Sequence, residues 1–300
     1  MNRLQCNKLA SLIHNKASKK DIFKYVKELQ DISHKNKKVK WLEALIKFET
    51  FLNNGTLVSK VFAIDGNGKL PFLSFSSLAG LPCVGAGDCL KFCYSFRAWR
   101  YPYPFFRQLQ NYILLECEAG RDIIKSELSK SIAIVKRRNK LKNKEHSQID
   151  FRLYVDGDFH SKQCLLFWMS QIKDNPILST YGYSKSFGLF LNLHSQGFKF
   201  PKNYVLNISS GSKYNQSIID KMLKLPMVRD QFVAVTMPYK VTTEMHSNKE
   251  HQKRLRQEYK KINPIKKVFA CGGLCGECTN KKHACGDMRF LGVPILIGVH

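Results

Sequence analysis

Seven of the chain's ten cysteines fall into two groups whose spacing suits a thiolate-bound metal. The first, in "LPCVGAGDCLKFC", is Cys83-x5-Cys89-x3-Cys93, and the second, in "CGGLCGECTNKKHACGD", is Cys271-x3-Cys275-x2-Cys278-x6-Cys285. Glycines at 272, 273, 276 and 286 interrupt the second group. They permit the left-handed turns that a loop wrapped round a metal needs. Four cysteine ligands serve structural Zn2+ and 4Fe-4S clusters alike, so both stay open on the residues alone. The first group offers three thiolates and no fourth nearby, a set either completed from elsewhere in the fold or left open for chemistry. Buried thiols that merely pack are the plainer alternative, and Cys6, Cys117 and Cys164 stand alone.

Two further stretches carry chemistry. In Asp156-Gly157-Asp158-Phe159-His160 the paired carboxylates suit a divalent ion such as Mg2+ or Mn2+, or acid/base work. The same stretch also suits an ordinary strand-to-helix turn capped by Asp158 or Ser161. Lys185, between Ser184 and Ser186, suits a phosphate at a helix N-terminus. The run "FRAWRYPYPFFRQ" interleaves Arg97, Trp99, Arg100 and Arg107 with rings, a pattern that grips phosphates and stacks unpaired bases. Pro102 and Pro104 are expected to keep Tyr101 and Tyr103 on an extended segment, where either tyrosine could serve as a nucleophile towards DNA. Phe105 and Phe106 are equally good core residues.

These residues need a frame. From residue 150 on, β-rich runs at 151–155, 179–183, 203–208, 232–237 and 267–270 alternate with helical stretches at 161–173, 187–196, 215–224 and 247–261. Strand and helix in alternation predict an α/β fold, a partial barrel or open parallel sheet of repeated strand-helix units. In such folds the ligand sits at the carboxyl ends of the strands. Asp156, Lys185, the serines at 209, 210 and 212, and Cys271 all follow a strand run. Residues 1–56 read as a basic helical region, with Lys37 and Lys38 in a connector before Trp41. Residues 57–149 hold a strand at 57–64, a turn at "DGNGKLP", the first cysteine group and a helix over 107–138 with Arg137 and Arg138 at its basic end. Residues 150–300 form the α/β unit with its terminal cysteine loop.

Charge selects the partner. Forty-nine Lys and Arg against 23 Asp and Glu leave +26, far beyond what solubility requires, so a polyanion is expected. No apolar run of about 18 residues is present to span a bilayer, which favours nucleic acid, chiefly DNA, over a membrane. The N-terminus lacks a secretory signature, so the expected location is cytoplasmic, where thiols stay reduced and bind metal rather than pair.

The segments "CVGAGDCLKFCYSF", "FRLYVDGDFHSKQCLLFWMSQIKDNP", "YGYSKS", "NISSGS" and "CGGLCGEC" resemble, in that order, the phage gene-product-eighty-eight-like proteins of phages and mobile elements. That resemblance spans roughly residues 81–285 and implies no activity. "FRAWRYPYPFFRQ" is similar to replication proteins of small cryptic rolling-circle plasmids, although the His-hydrophobic-His motif of common initiators is missing from this chain. Cys271-x3-Cys275-x2-Cys278 resembles the triplet of radical S-adenosylmethionine enzymes. The leading expectation is a plasmid or phage DNA-binding protein acting in replication initiation, nicking through Tyr101 or Tyr103 with an ion on Asp156 and Asp158. The rivals are an iron-sulfur enzyme, redox or radical, built on an open three-cysteine site, and a zinc-stabilised nucleic-acid-binding protein without catalysis.

Overall fold

The structure is a computed structural model that describes residues 1–65, 70–142, 147–264, 267–276, 278 and 283–299. Three helices open it, α1 (Arg3–His14), α2 (Lys19–Lys35) and α3 (Val39–Asn54). Asn2 and Gln5 form a reciprocal capping box on α1, and Ser18 caps α2, which satisfies backbone N–H groups that helix starts leave unpaired. Their apolar faces join one core with buried residues as far along the chain as Val228. Trp41 lies 6.2 and 6.1 Å from the rings of Phe105 and Phe106, and the Cys6 thiol contacts the carbonyl of Trp99.

Strands β1 (Phe62–Ala63) and β2 (Leu73–Phe75) follow, then α4 (Ser95–Ala98), α5 (Pro102–Glu116) and α6 (Glu118–Leu141). Alternation then sets in: β3 (Ile149–Leu153), α7 (Lys162–Asp174), β4 (Leu178–Ser184), α8 (Phe187–Ser195), β5 (Tyr204–Ser209), α9 (Gln216–Leu223) and β6 (Val228–Val235). After α10 (Lys249–Ile262) come β7 (Phe269–Ala270) and β8 (Ile295–Gly298). Among the described residues the sheet is open, with eight strands in the order β1-β2-β3-β4-β5-β6-β8-β7. Only the β1–β2 pair is antiparallel. The α/β expectation therefore holds in its open-sheet form.

Three expectations are corrected. Pro102 starts α5 rather than delaying it, because proline's fixed φ and missing N–H suit a first helical turn; Tyr101 is its extended N-cap, while Tyr103 lies inside the helix. The helix expected over 107–138 is two, broken at Cys117, whose φ and ψ are −132° and 160°. The strand expected at 57–64 shrinks to Phe62–Ala63. The turn expected at 65–71 falls largely on residues 66–69, and the end of the basic run on 143–144, outside the described residues.

β3 sets the two faces of the sheet. Ile149, Phe151 and Leu153 are buried in the helix-covered core, so Asp150 and Arg152 point to the other face. There Arg152 pairs in register with Tyr181. The cysteine segment after β7 covers this face, since Tyr181, Val205, Ala284, Cys285 and Ile295 pack as one cluster with Cys271 and Cys278 against it. Arg229, 1% exposed, ties that segment down: its Nε donates to Asn207 Oδ1 (2.7 Å), one terminal nitrogen donates to the carbonyl of Phe290 (3.0 Å), and Asn207 Nδ2 donates to the carbonyl of Cys285 (2.8 Å).

Candidate functional site

A cavity of about 600 Å3 opens at the carboxyl ends of the parallel strands, the address that parallel α/β folds give a ligand. Both cysteine groups line it. Cys83, Cys89 and Cys93 arrive on the loop after β2, and Cys271, Cys275, Cys278 and Cys285 on the loop after β7. Asp158, Lys185, Ser209, Ser210, Arg97 and Arg152 share the wall.

The first cysteine loop is laid across the strand ends by backbone pairing. Gly87 and Cys89 N–H groups both donate to the carbonyl of Gly211 at 3.1 Å, and Lys213 N–H donates to that of Gly85 at 3.1 Å. Gly85 is obligatory in this packing, because a Cβ there would stand 1.6 Å from the carbonyl oxygen of Lys185. Beyond the cysteines, the Tyr94 hydroxyl turns inward and donates to the carbonyl of Val155, though half of the residue is exposed.

The carboxylates separate. Asp158, 5% exposed, accepts from Ser184 Oγ (2.7 Å), Lys185 N–H (2.8 Å) and Phe159 N–H (2.8 Å), fixing the turn after β4. Asp156 accepts from Ser76 Oγ at 3.0 Å and does not line the cavity. Burial raises the pKa of both acids above the ordinary carboxylate value, against the hydrogen bonds that lower it. Their ties run to different partners, so the structure does not assemble them into a shared ion site. Ser161, not Asp158, caps α7, accepting from Cys164 N–H at 3.1 Å. His160 instead pairs with Glu116 at 2.8 Å, away from the cavity.

The proposed nucleophiles stand apart as well. Tyr101 is 64% exposed and Tyr103 lies under Lys47, whose Nζ is 5.3 Å from the ring centre; neither lines the cavity. Trp99, expected on the surface, is buried, its Nε1 donating to Gln108 Oε1 at 2.9 Å, which removes it as a stacking platform. Phe105 and Phe106 are fully buried core. Arg97 and Arg100 are exposed, while Arg107 is half-buried with its Nε donating to Ser59 Oγ at 3.4 Å. Lys37 and Lys38 occupy the exposed turn between α2 and α3, and Arg137 and Arg138 are exposed on α6, with Arg138 paired to Asp65.

Among the described residues no group of three His, Cys, Asp or Glu side chains is set to hold one metal ion. A tetrahedral zinc, with Zn–S near ~2.3 Å, needs sulfurs about 3.8 Å apart. An iron-sulfur cluster places its thiolates on different irons and accepts a wider set. Four cysteines are donor chemistry that either group uses. Cys271, Cys275, Cys278 and Cys285 are electrostatic neighbours, and N–H groups of Gly273 and Ala284 donate to the sulfurs of Cys271 and Cys278, each at 3.4 Å. Burial pushes the Cys271 thiol up to about 11 and Cys285 to about 12, so both are protonated near neutrality without a cation to offset the burial. Burial likewise raises Cys83, with Asp158 adding to it.

Arg152, Tyr181 and Tyr183 line the cavity but were not among the site residues expected from the sequence, although the motifs that carry the family resemblance contain them. A cation at an alternate position of the apolar run "FRLYV" was the available signal. In comparisons with known proteins, the model of the family described as gene product 88 matches residues 44–289. No curated protein and no solved structure matches the chain.

Proposed function

The chain belongs to the gene product 88 family, and from its cavity we infer a cytoplasmic iron-sulfur enzyme of redox or radical type with a nucleic-acid partner. The observation that carries this reading is that all seven clustered cysteines line the cavity that Asp158, Lys185, Ser209 and Ser210 also line. Cys271, Cys275 and Cys278 would hold the cluster, which supplies one-electron transfer. The chain's own residues do the rest. Asp158 locks the 184–186 turn and so sets Lys185 in the wall, where its ammonium can bind an anionic part of a substrate. The loop carrying Cys83, Cys89 and Cys93 roofs the strand ends and limits water. The partner is supported by the charge of +26 and by exposed Lys37, Lys38, Arg97, Arg100 and Arg137. DNA nicking draws no support from the geometry, because Tyr101 and Tyr103 lie outside the cavity that Asp158 lines.

The test is metal analysis after anaerobic isolation and iron-sulfide reconstitution. The expected product is brown, with about four irons per chain and matching sulfide. Cys271→Ser, Cys275→Ser and Cys278→Ser should each lose the colour, while Cys117→Ser, at an exposed lone thiol, should keep it. A colourless protein with one zinc per chain and no iron uptake would sink the proposal.

A further inference from the structure

Two arginines stand on this sheet, Arg229 buried and Arg152 half-buried, and they are used differently. Arg229 spends its guanidinium inside the protein, on Asn207 Oδ1 and on the carbonyls of Phe290, Val293 and Gln231. Arg152 does not. Its Nε is fully buried with no hydrogen-bond partner, and its group is held by the ring of Tyr183, with the guanidinium carbon 4.8 Å from the ring centre. Among the described residues the carboxylates at its end of the sheet take their hydrogen bonds elsewhere: Asp158 from Ser184, Lys185 and Phe159, and Asp156 from Ser76, though Arg152's charge still acts on Asp156, while Asp150 faces His283 at 3.5 Å. A guanidinium stays charged, and a buried N–H without an acceptor is costly, so the fold keeps the Arg152 Nε there at a penalty.

A second donor beside it is equally idle. Tyr181, 1% exposed and opposite Arg152 in register, has a buried hydroxyl with no partner, and both residues line the cavity. Arg97 and Lys185 bring two more cations to the wall against, among the described residues, the single carboxylate of Asp158. We propose that Arg152 and Tyr181 form the anchor for an oxyanion, a carboxylate or a phosphate, carried by the small molecule that occupies this cavity. The planar fork of arginine matches both groups through paired hydrogen bonds, and the tyrosine O–H supplies a further donor. A volume of about 600 Å3 suits a ligand of metabolite size. The site is the cavity of the proposed enzyme, but the anchor itself needs no iron.

Calorimetric titration of the metal-free chain with inorganic phosphate, and separately with acetate, tests the anchor and tells the two oxyanions apart. At least one of the two should bind at a single site. Arg152→Gln should weaken it tenfold or more, Arg152→Lys less, and Tyr181→Phe several-fold. The last change removes one oxygen, so it keeps the proposal testable if Arg152→Gln misfolds by circular dichroism. Unchanged affinity in Arg152→Gln and Tyr181→Phe, or no binding of either anion by folded wild-type chain, overturns it. The titration is repeated after iron reconstitution. Binding by the metal-free chain that vanishes on iron loading would mean that Arg152 neutralises thiolates instead, which also overturns it. A chain that takes up no iron yet binds the anion through Arg152 would remove the iron-sulfur reading and leave the anchor standing.

Discussion

At the scale of single residues, the thiols govern how the molecule responds to pH. Burial raises the pKa of Cys271 to about 11 and of Cys285, Cys6 and Cys164 to about 12. Unfolded thiols ionise near ~8.5, so above that pH the unfolded chain sheds protons that the folded chain still holds. Their contribution is thus complete below about pH 8.5 and is lost as pH rises towards the folded values, by about 2 kcal/mol at pH 10 for each fully buried thiol. Urea midpoints of the metal-free chain should fall steeply between pH 8 and 10. With iron bound the site thiols are already deprotonated, so the fall should be shallower. A flat metal-free profile would contradict the burial described for these side chains. Cysteine spacing made the metal-binding candidates legible in the sequence. Asp158 was legible only as an acid near a strand end; two of its three internal hydrogen bonds come from Ser184 and Lys185, 26 and 27 residues away. Arg152 was overlooked because its meaning depends on Tyr181 and Tyr183, which only strand pairing brings beside it.

At the scale of elements, alternation with period 2 and period 3.6 marked β3 to β6 and α7 to α10 within a few residues, and with them the strand-end address of the cavity. β2 and β8 escaped because three and four residues carry too little pattern, and their partners β3 and β6 are distant in sequence. The break between α5 and α6 at Cys117 carries no proline, and its only local sign is Gly120 three residues on, where a Cβ would stand 2.2 Å from the carbonyl oxygen of Leu114. The cysteine loop after β2 is the element whose placement the cavity depends on most. Its contact with the 184–186 turn leaves no room at Gly85, so Gly85→Ala must push the loop off the strand ends. The expected loss is about 3 kcal/mol by chemical denaturation, the upper range for overpacking, together with weaker iron retention. Gly272→Ala is the matched control, since the nearest atom to its new Cβ is a flexible side-chain nitrogen of Gln252 at 3.8 Å, and it should change stability little. Equal stability of the two variants would mean that the loop does not rest on the strand ends as described.

At the scale of the whole molecule, no helix among the described residues is long and apolar enough to cross a membrane. The charge of +26 is spread over the N-terminal helices, α6 and the rim of the cavity. The N-terminal helices share one core with α5, so their basic faces are held in fixed relation to the sheet. Burial of Trp99, Phe105 and Phe106 leaves the aromatic-basic run with cations outward and few rings, a surface whose chemistry suits phosphates more than bases. Binding to single-stranded DNA should therefore be largely insensitive to sequence and strongly dependent on salt. Each neutralised phosphate contributes about −0.7 to the slope of log K against log salt. Fluorescence anisotropy with a labelled oligonucleotide, at several salt concentrations, should show that slope become shallower by about 1.4 in Lys37→Glu/Lys38→Glu and in Arg97→Gln/Arg100→Gln. A wild-type slope near zero, or slopes unchanged in both double variants, would show that the charge serves some other purpose than gripping nucleic acid. If only the Arg97/Arg100 pair alters the slope, the strand passes over the cysteine loop, and the phosphate it carries there lies by Arg97 and Tyr94, which line the cavity.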